Sequence, residues 1–203
     1  MTRMFTLALP LLAISLLACG PPQTAATSSK ASTPSPAAVP VGPMPTDCHS
    51  GKAGGVTMPD MGCTPGAADP LITPANVLTT ICRSGYAATV QLSASSAASL
   101  KRQLMVAYHL TGPADDYELD HLVPLEVGGA PFAATNLWPQ PNTHPATSVA
   151  NVKDPVEDYV HHAVCTGAMT LTQGQEVFLT GQWAGMVDKP EVLHSVGPHS
   201  PGD

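Results

Sequence analysis

Aromatic side chains are scarce in this chain: nine in 203 residues, and eight of them fall between Tyr86 and Trp183. A packed core needs large side chains, so the folded part is expected in that region, as one domain with unfolded sequence around it. Positive charge is scarce too, with eight Lys and Arg against fifteen Asp and Glu. No apolar run reaches the ~20 residues of a membrane-spanning helix. No heptad series persists, and no repeat of about 20–50 residues is visible. These absences exclude a coiled coil, a solenoid and a polytopic membrane protein. The sequence has no C-x-x-C pair and no H-E-x-x-H string, which argues against a thiolate zinc site and a metalloprotease.

What is abundant is Pro, Ala and short apolar sequence near the start. Residues 1–18 carry one Arg followed by an apolar stretch broken by Pro10. That layout is a secretory signal, too short for a spanning helix. Its end, Leu16-Leu17-Ala18-Cys19, resembles the bacterial lipobox. The resemblance implies a lipidated Cys19 at the mature N-terminus and a chain exported and anchored to the envelope, at the outer membrane where the host has one. In residues 20–47, Pro, Ala, Ser and Thr supply 20 of 28 positions. Such a stretch buries too little apolar surface to offset its ordering entropy, so 19–47 reads as lipidated Cys and tether. Residues 48–62 read as a poorly defined lead-in, 63–187 as the domain and 188–203 as a disordered tail.

Four cysteines remain: Cys48, Cys63, Cys82 and Cys165. An even number in an exported chain suggests two disulfides. Cys48–Cys63 with Cys82–Cys165 is the preferred pairing, and Cys63–Cys82 stays open.

Local patterns predict a small α+β domain. Thr73-Pro74 suits the start of a short helix running toward Cys82. Residues 86–92 suit a strand, and Ser95 or Ser96 the cap of a helix reaching Leu110. Residues 117–123 form a β-type run, 124–136 a Gly/Pro-rich loop, and Leu137-Trp138 a second short apolar segment. A helix is expected over 150–165, and Thr172 with Gln175 resembles the capping box of a last helix ending near Trp183.

The densest polar cluster is Tyr117-Glu118-Leu119-Asp120-His121, which puts a hard-metal ligand beside a base that titrates near neutrality. Asn136 follows fifteen residues after His121, and Lys153, Asp154, Glu157, Asp158, His161 and His162 lie on the next helix. Glu157 and His161, four apart, are expected on one face. On a regular strand Asp120 and His121 point to opposite faces, so a shared site requires the strand to end or twist there.

The string YELDHLVPLEVGG (117–129) with NLWPQP (136–141) resembles the HNH nuclease motif of ββα-metal folds. With TIC (80–82), LKRQ (100–103), KDPVEDYVHHAVCTG (153–167) and QW (182–183), about 120 residues resemble secreted bacterial HNH-like proteins. The resemblance implies a ββα-metal core with flanking helices and a metal-dependent endonuclease. It makes His121 the general base and Asn136 the brace of the loop that holds it. Asp120 becomes a ligand of Mg2+ or Mn2+, with Zn2+ as an alternative. Glu118, Asp154, Glu157 and His161 are the further metal candidates. His144 is less suited to the third motif position because Pro145 follows it.

The other polar groups have plainer readings. Gly128-Gly129 suits a turn that needs permissive backbone angles. Trp138 and Trp183 suit the core, His109, His194 and His199 are incidental, and Lys101 with Arg102 forms surface charge or a small phosphate contact. Residues 63–187 hold four Lys and Arg against ten Asp and Glu. Non-specific DNA affinity comes largely from basic side chains displacing counterions, so nucleic acid is expected to bind weakly. A non-catalytic envelope module keeping the HNH-like scaffold is the alternative from another class.

Overall fold

The computed structural model describes residues 42–143 and 151–195. The expected signal segment, Cys19, His144 and His199 lie outside the described residues, as do most of the tether and the end of the tail. The described chain is α+β and carries two disulfides, Cys48–Cys63 and Cys82–Cys165.

A small antiparallel hairpin, β1 (Gly51–Ala53) and β2 (Val56–Met58), turns through Gly54 and Gly55, both at positive φ. The lead-in therefore has regular structure, and the first disulfide closes around it. Helix α1 (Tyr86–Val90) stands where residues 86–92 suggested a strand. The segment pairs with no strand among the described residues, and as a helix it places Tyr86 and Ala87 against the core. Helix α2 (Ala94–Ala107) begins two residues before the expected caps, because the Ser93 side chain accepts from Ser96 N at 3.2 Å. The Thr73-Pro74 helix is replaced by turns and a 3-10 turn (Val77–Thr79). Asn76 competes for that backbone, accepting from Thr73 N and donating to Leu71 O.

Strands β3 (Tyr117–His121) and β4 (Leu137–Pro141) pair antiparallel, with Asp120 opposite Trp138 and His121 opposite Leu137. Pro139 and Pro141 are two residues apart, so both occupy the edge of β4 that needs no ladder donor. Helix α3 (Asp154–Cys165) follows, with Pro155 in its first turn, and packs on the 3-10 turn Leu125–Val127. Helix α4 (Leu171–Leu179) has its capping box at Thr170 and Gln173. The T-x-x-Q spacing occurs twice here, and the earlier copy places buried Leu171 inside the helix. Gln175 instead donates to Val127 O at 3.3 Å. A short helix α5 (Pro190–Ser195) buries Val192, so the expected tail folds over part of its length.

The main core gathers Leu122, Val123, Val127, Val156, Val160, Phe178 and Trp183 between the 122–127 turn, α3 and α4. Trp138 is fully buried in a second cluster with Tyr108 and the Cys48–Cys63 disulfide. Met44, near the end of the expected tether, packs on Leu100, Leu104 and Leu137.

Candidate functional site

The site is built on the 15-residue span, 122–136, that joins the end of β3 to the start of β4. Asn136 pins that span, fully buried at its base. Its Oδ1 accepts from Val123 N at 2.9 Å and Ala67 N at 3.1 Å, and its Nδ2 donates to Val123 O at 3.0 Å and Ala130 O at 3.1 Å. One amide thus ties together both ends of the loop and the segment after Cys63. Gly129 completes the turn: its N–H donates to Pro124 O at 2.8 Å, and a Cβ there would overlap the Val123 carbonyl.

The pinned loop carries Pro131 to the side chain of His121. The His121 Nε2–H donates to Pro131 O at 3.0 Å, which makes Nδ1 the unprotonated nitrogen of the neutral ring. Burial holds the imidazole below its ordinary pKa, against the opposing pull of the Pro131 carbonyl and Asp120. His121 is therefore a neutral, oriented imidazole at pH 7. It borders a cleft of about 220 Å3 together with Gln91, Glu118, Asp120, Glu126 and Glu157. Strand β3 ends at His121, and Asp120 and His121 both border the cleft, although the Asp120 oxygens are bonded to Lys153.

Beneath the cleft lies a group that the sequence reading left without a role. The Lys153 Nζ, with no solvent exposure, donates to Asp120 Oδ1 and Oδ2 at 2.9 and 2.8 Å and to His121 O at 2.7 Å. It also meets Glu157 Oε1 at 2.5 Å. Burial opposes its charge, but Asp120 and Glu157 outweigh that and hold its pKa above the ordinary lysine value. Asp120 accepts a further bond from Trp138 Nε1 at 2.8 Å. Asn151 extends the network, donating to Glu118 Oε2 at 2.8 Å and accepting from Lys153 N at 2.9 Å. Burial and the neighbouring carboxylates of Asp120 and Asp154 push Glu118 up to about 7. Glu157 is raised well above the ordinary carboxyl value, first by burial.

The expected metal ligands are not gathered around one point. Both oxygens of Asp120 are taken by the ammonium of Lys153, which stands where a cation on Asp120 would have to be. His161 turns away, its Nε2–H donating to Ile81 O at 2.9 Å. Asp154, the first residue of α3, faces back along the chain and accepts from Asn151 N at 3.0 Å. These residues do not fit a divalent ion centred on Asp120. Two other groups bring metal-ligand types together: Cys82, His161 and Cys165, and Asp47, His49 and His109. In the first, the two thiols are joined as a disulfide. Lys101 donates to Ala114 O and Tyr117 O, so it braces the start of β3 and offers no free phosphate contact.

Lys153 had a usable signal in the sequence. A lysine one residue before an acidic helix start, in a domain with few cations, has carboxylates as its nearest partners. Compared with protein-family models, curated proteins and solved structures, the chain matches none of them.

Proposed function

We propose that the His121 cleft is a hydrolytic centre on an HNH-like ββα frame, acting on phosphodiester bonds of short or single-stranded nucleic acid. The observation that carries this reading is the Nε2–H bond from His121 to Pro131 O, which orients a neutral imidazole at the cleft. Glu118 borders the same cleft and holds a proton up to about pH 7. An imidazole kept neutral and a carboxyl kept protonated form a matched base and acid. In the proposed step, His121 Nδ1 takes a proton from water as its oxygen bonds to phosphorus. The P–O bond to the leaving oxygen breaks, and that oxygen receives the Glu118 proton. No step passes through a metal on Asp120, because Lys153 supplies the positive charge there.

The nucleic-acid substrate rests on the resemblance of 117–141 to the HNH motif. The scarcity of Lys and Arg supports a short or single-stranded form, since an extended duplex is repelled by this charge balance. The lipobox-like end of residues 1–18 supports export and anchoring of Cys19 to the bacterial envelope.

The test is cleavage of a short fluorogenic oligonucleotide by the purified protein, with Mg2+ or Mn2+ and with chelator. Cleavage that persists in chelator and disappears in His121→Ala supports the reading; undiminished cleavage by His121→Ala overturns it. Cleavage lost in chelator would mean that a metal displaces Lys153 from Asp120. The second reading, a non-catalytic envelope module, is favoured by the same Lys153–Asp120 pair and by the lack of a Lys or Arg bordering the cleft among the described residues. It requires no turnover under any of these conditions.

A further inference from the structure

We infer that Asp47, His49 and His109 form a surface site for one divalent transition-metal ion of the zinc class, separate from the His121 cleft and independent of the hydrolysis proposed there. Three donor atoms of the types zinc prefers converge here. Asp47 Oδ1 lies 2.9 Å from His109 Nε2 and 3.4 Å from His49 Nε2, and all three ligand atoms lie within 4.8 Å of one another. Ligands held at about 2.0–2.2 Å on a tetrahedral ion are separated by roughly 3.3–3.5 Å. The site therefore needs only small side-chain adjustments to take the ion.

The backbone is arranged to bring these donors together. Asp47 and His109 are the two non-glycine residues with positive φ among the described residues, at 58° and 54°. That conformation is uncommon for non-glycine residues, with Asp and His among those that adopt it most readily, and both residues adopt it where their side chains meet. The two histidine rings stack, with centroids 5.3 Å apart and planes 18° from parallel. Cys48, between Asp47 and His49, is held by its disulfide to Cys63 and by a 2.8 Å bond from its N–H to Ala107 O. The His49 N–H donates to Asp60 Oδ2 at 2.8 Å. Two distant segments are thus clamped two residues from His109, and little ordering is left for the ion to impose. All three side chains are more than half exposed, so water can complete the coordination shell.

The His109 ring points its Nε2–H at Asp47 Oδ1, while His49 Nε2 stands farther off, at 3.4 Å. A bound cation replaces the His109 bond by ligation and is held through the lone pair of each ring nitrogen. Zn2+ is the ion of first choice for two imidazoles and a carboxylate, with Ni2+ and Cu2+ also suited to them.

The test is calorimetric titration of Zn2+ into the purified protein and into a His49→Ala/His109→Asn variant. Asn at 109 is chosen because it tolerates positive φ. One Zn2+ per chain, with affinity lowered by at least roughly tenfold in the variant, is the expected result. Unchanged Zn2+ affinity in the variant, or no saturable binding by the unaltered protein, would overturn the inference. A second measurement uses the unaltered protein alone: diethylpyrocarbonate labelling read by mass spectrometry. Saturating Zn2+ should protect His49 and His109 while leaving exposed His194 reactive, and equal labelling with and without Zn2+ would count against the site.

Discussion

Lys153 and Asp120 form a buried ion pair, with the ammonium bonding both carboxylate oxygens at 2.8–2.9 Å and no exposure of the lysine. Two charges taken out of water are tolerated only when every remaining donor and acceptor is met. Here Trp138, Glu157 and the His121 carbonyl supply the additional partners. The pair joins β3 to α3 directly below His121. It therefore bears on both the stability of the region where β3, β4 and α3 meet and the field felt by the cleft.

Lys153→Met should destabilise the fold by about 3–5 kcal/mol, because it leaves the Asp120 carboxylate buried without a counter-charge. Combining it with Asp120→Asn should recover part of that loss, giving a coupling energy in a double-mutant cycle well outside additivity. Urea unfolding of the four proteins measures it. Additive losses would mean that the two residues are stabilised independently.

Glu118 should make stability fall as pH rises from about 4.5 to about 7. Its folded pKa is raised to about 7 from an ordinary 4.5, so in that window the native state keeps a proton that the unfolded chain has released. Each unit of displacement is worth about 1.4 kcal/mol, reduced by the partial exposure of the group. His121 works the other way: its lowered pKa means that acidification below about 6.5 costs stability. Comparing the protein with Glu118→Gln isolates the carboxyl. The variant should gain relative stability between pH 5 and pH 7, and a difference independent of pH would show that Glu118 ionises normally. Hydrolysis that uses the Glu118 proton should also slow above about pH 7.

The two disulfides should differ in worth. Cys82–Cys165 spans 83 positions and Cys48–Cys63 spans 15, which the chain-entropy model converts to about 4–5 and about 3 kcal/mol. The Cys82→Ala/Cys165→Ala protein should therefore melt below the Cys48→Ala/Cys63→Ala protein in thermal unfolding. The reverse order would indicate that the short hairpin disulfide, packed on Trp138 and Tyr108, contributes more through the core than through chain entropy.

The sequence carried most of the central unit and misled at its edges. Strand β3 was legible in the alternation of 117–123, and α3 in the apolar spacing from Val152 to Ala163, although the helix begins only at Asp154. The preferred cysteine pairing is the one the structure contains. The 86–92 segment misled because so short a run is ambiguous until a partner strand is known. The capping box slipped by two residues because the same spacing repeats. For the site, the residue types pointed to a cluster around Asp120 and His121, and the chain does fold there. What spacing could not convey is which side chain fills the space between the carboxylates. Lys153 lies 33 positions from Asp120 in sequence, and its burial depends on how α3 meets β3.

Asn136 offers the sharpest separation between bracing and chemistry. Its amide makes four bonds to backbone groups, two accepted and two donated, and it touches no residue that borders the cleft through a reactive atom. Asn136→Ala leaves those groups unmet and should cost about 3–5 kcal/mol, at about 1–3 kcal/mol for each buried group that finds no water. Asn136→Asp should be at least as damaging, because it turns a donor facing Val123 O and Ala130 O into an acceptor. A brace acts on the rate by letting Pro131 drift from His121. The Asn136→Ala protein should therefore lose turnover, with the His121 limb of its pH dependence moved toward lower pH as the Pro131 carbonyl is lost. The measurement is the pH–rate profile on the fluorogenic oligonucleotide alongside urea unfolding. A loss of turnover at preserved stability would instead make Asn136 part of the proton-transfer machinery, and the loop would need a different support.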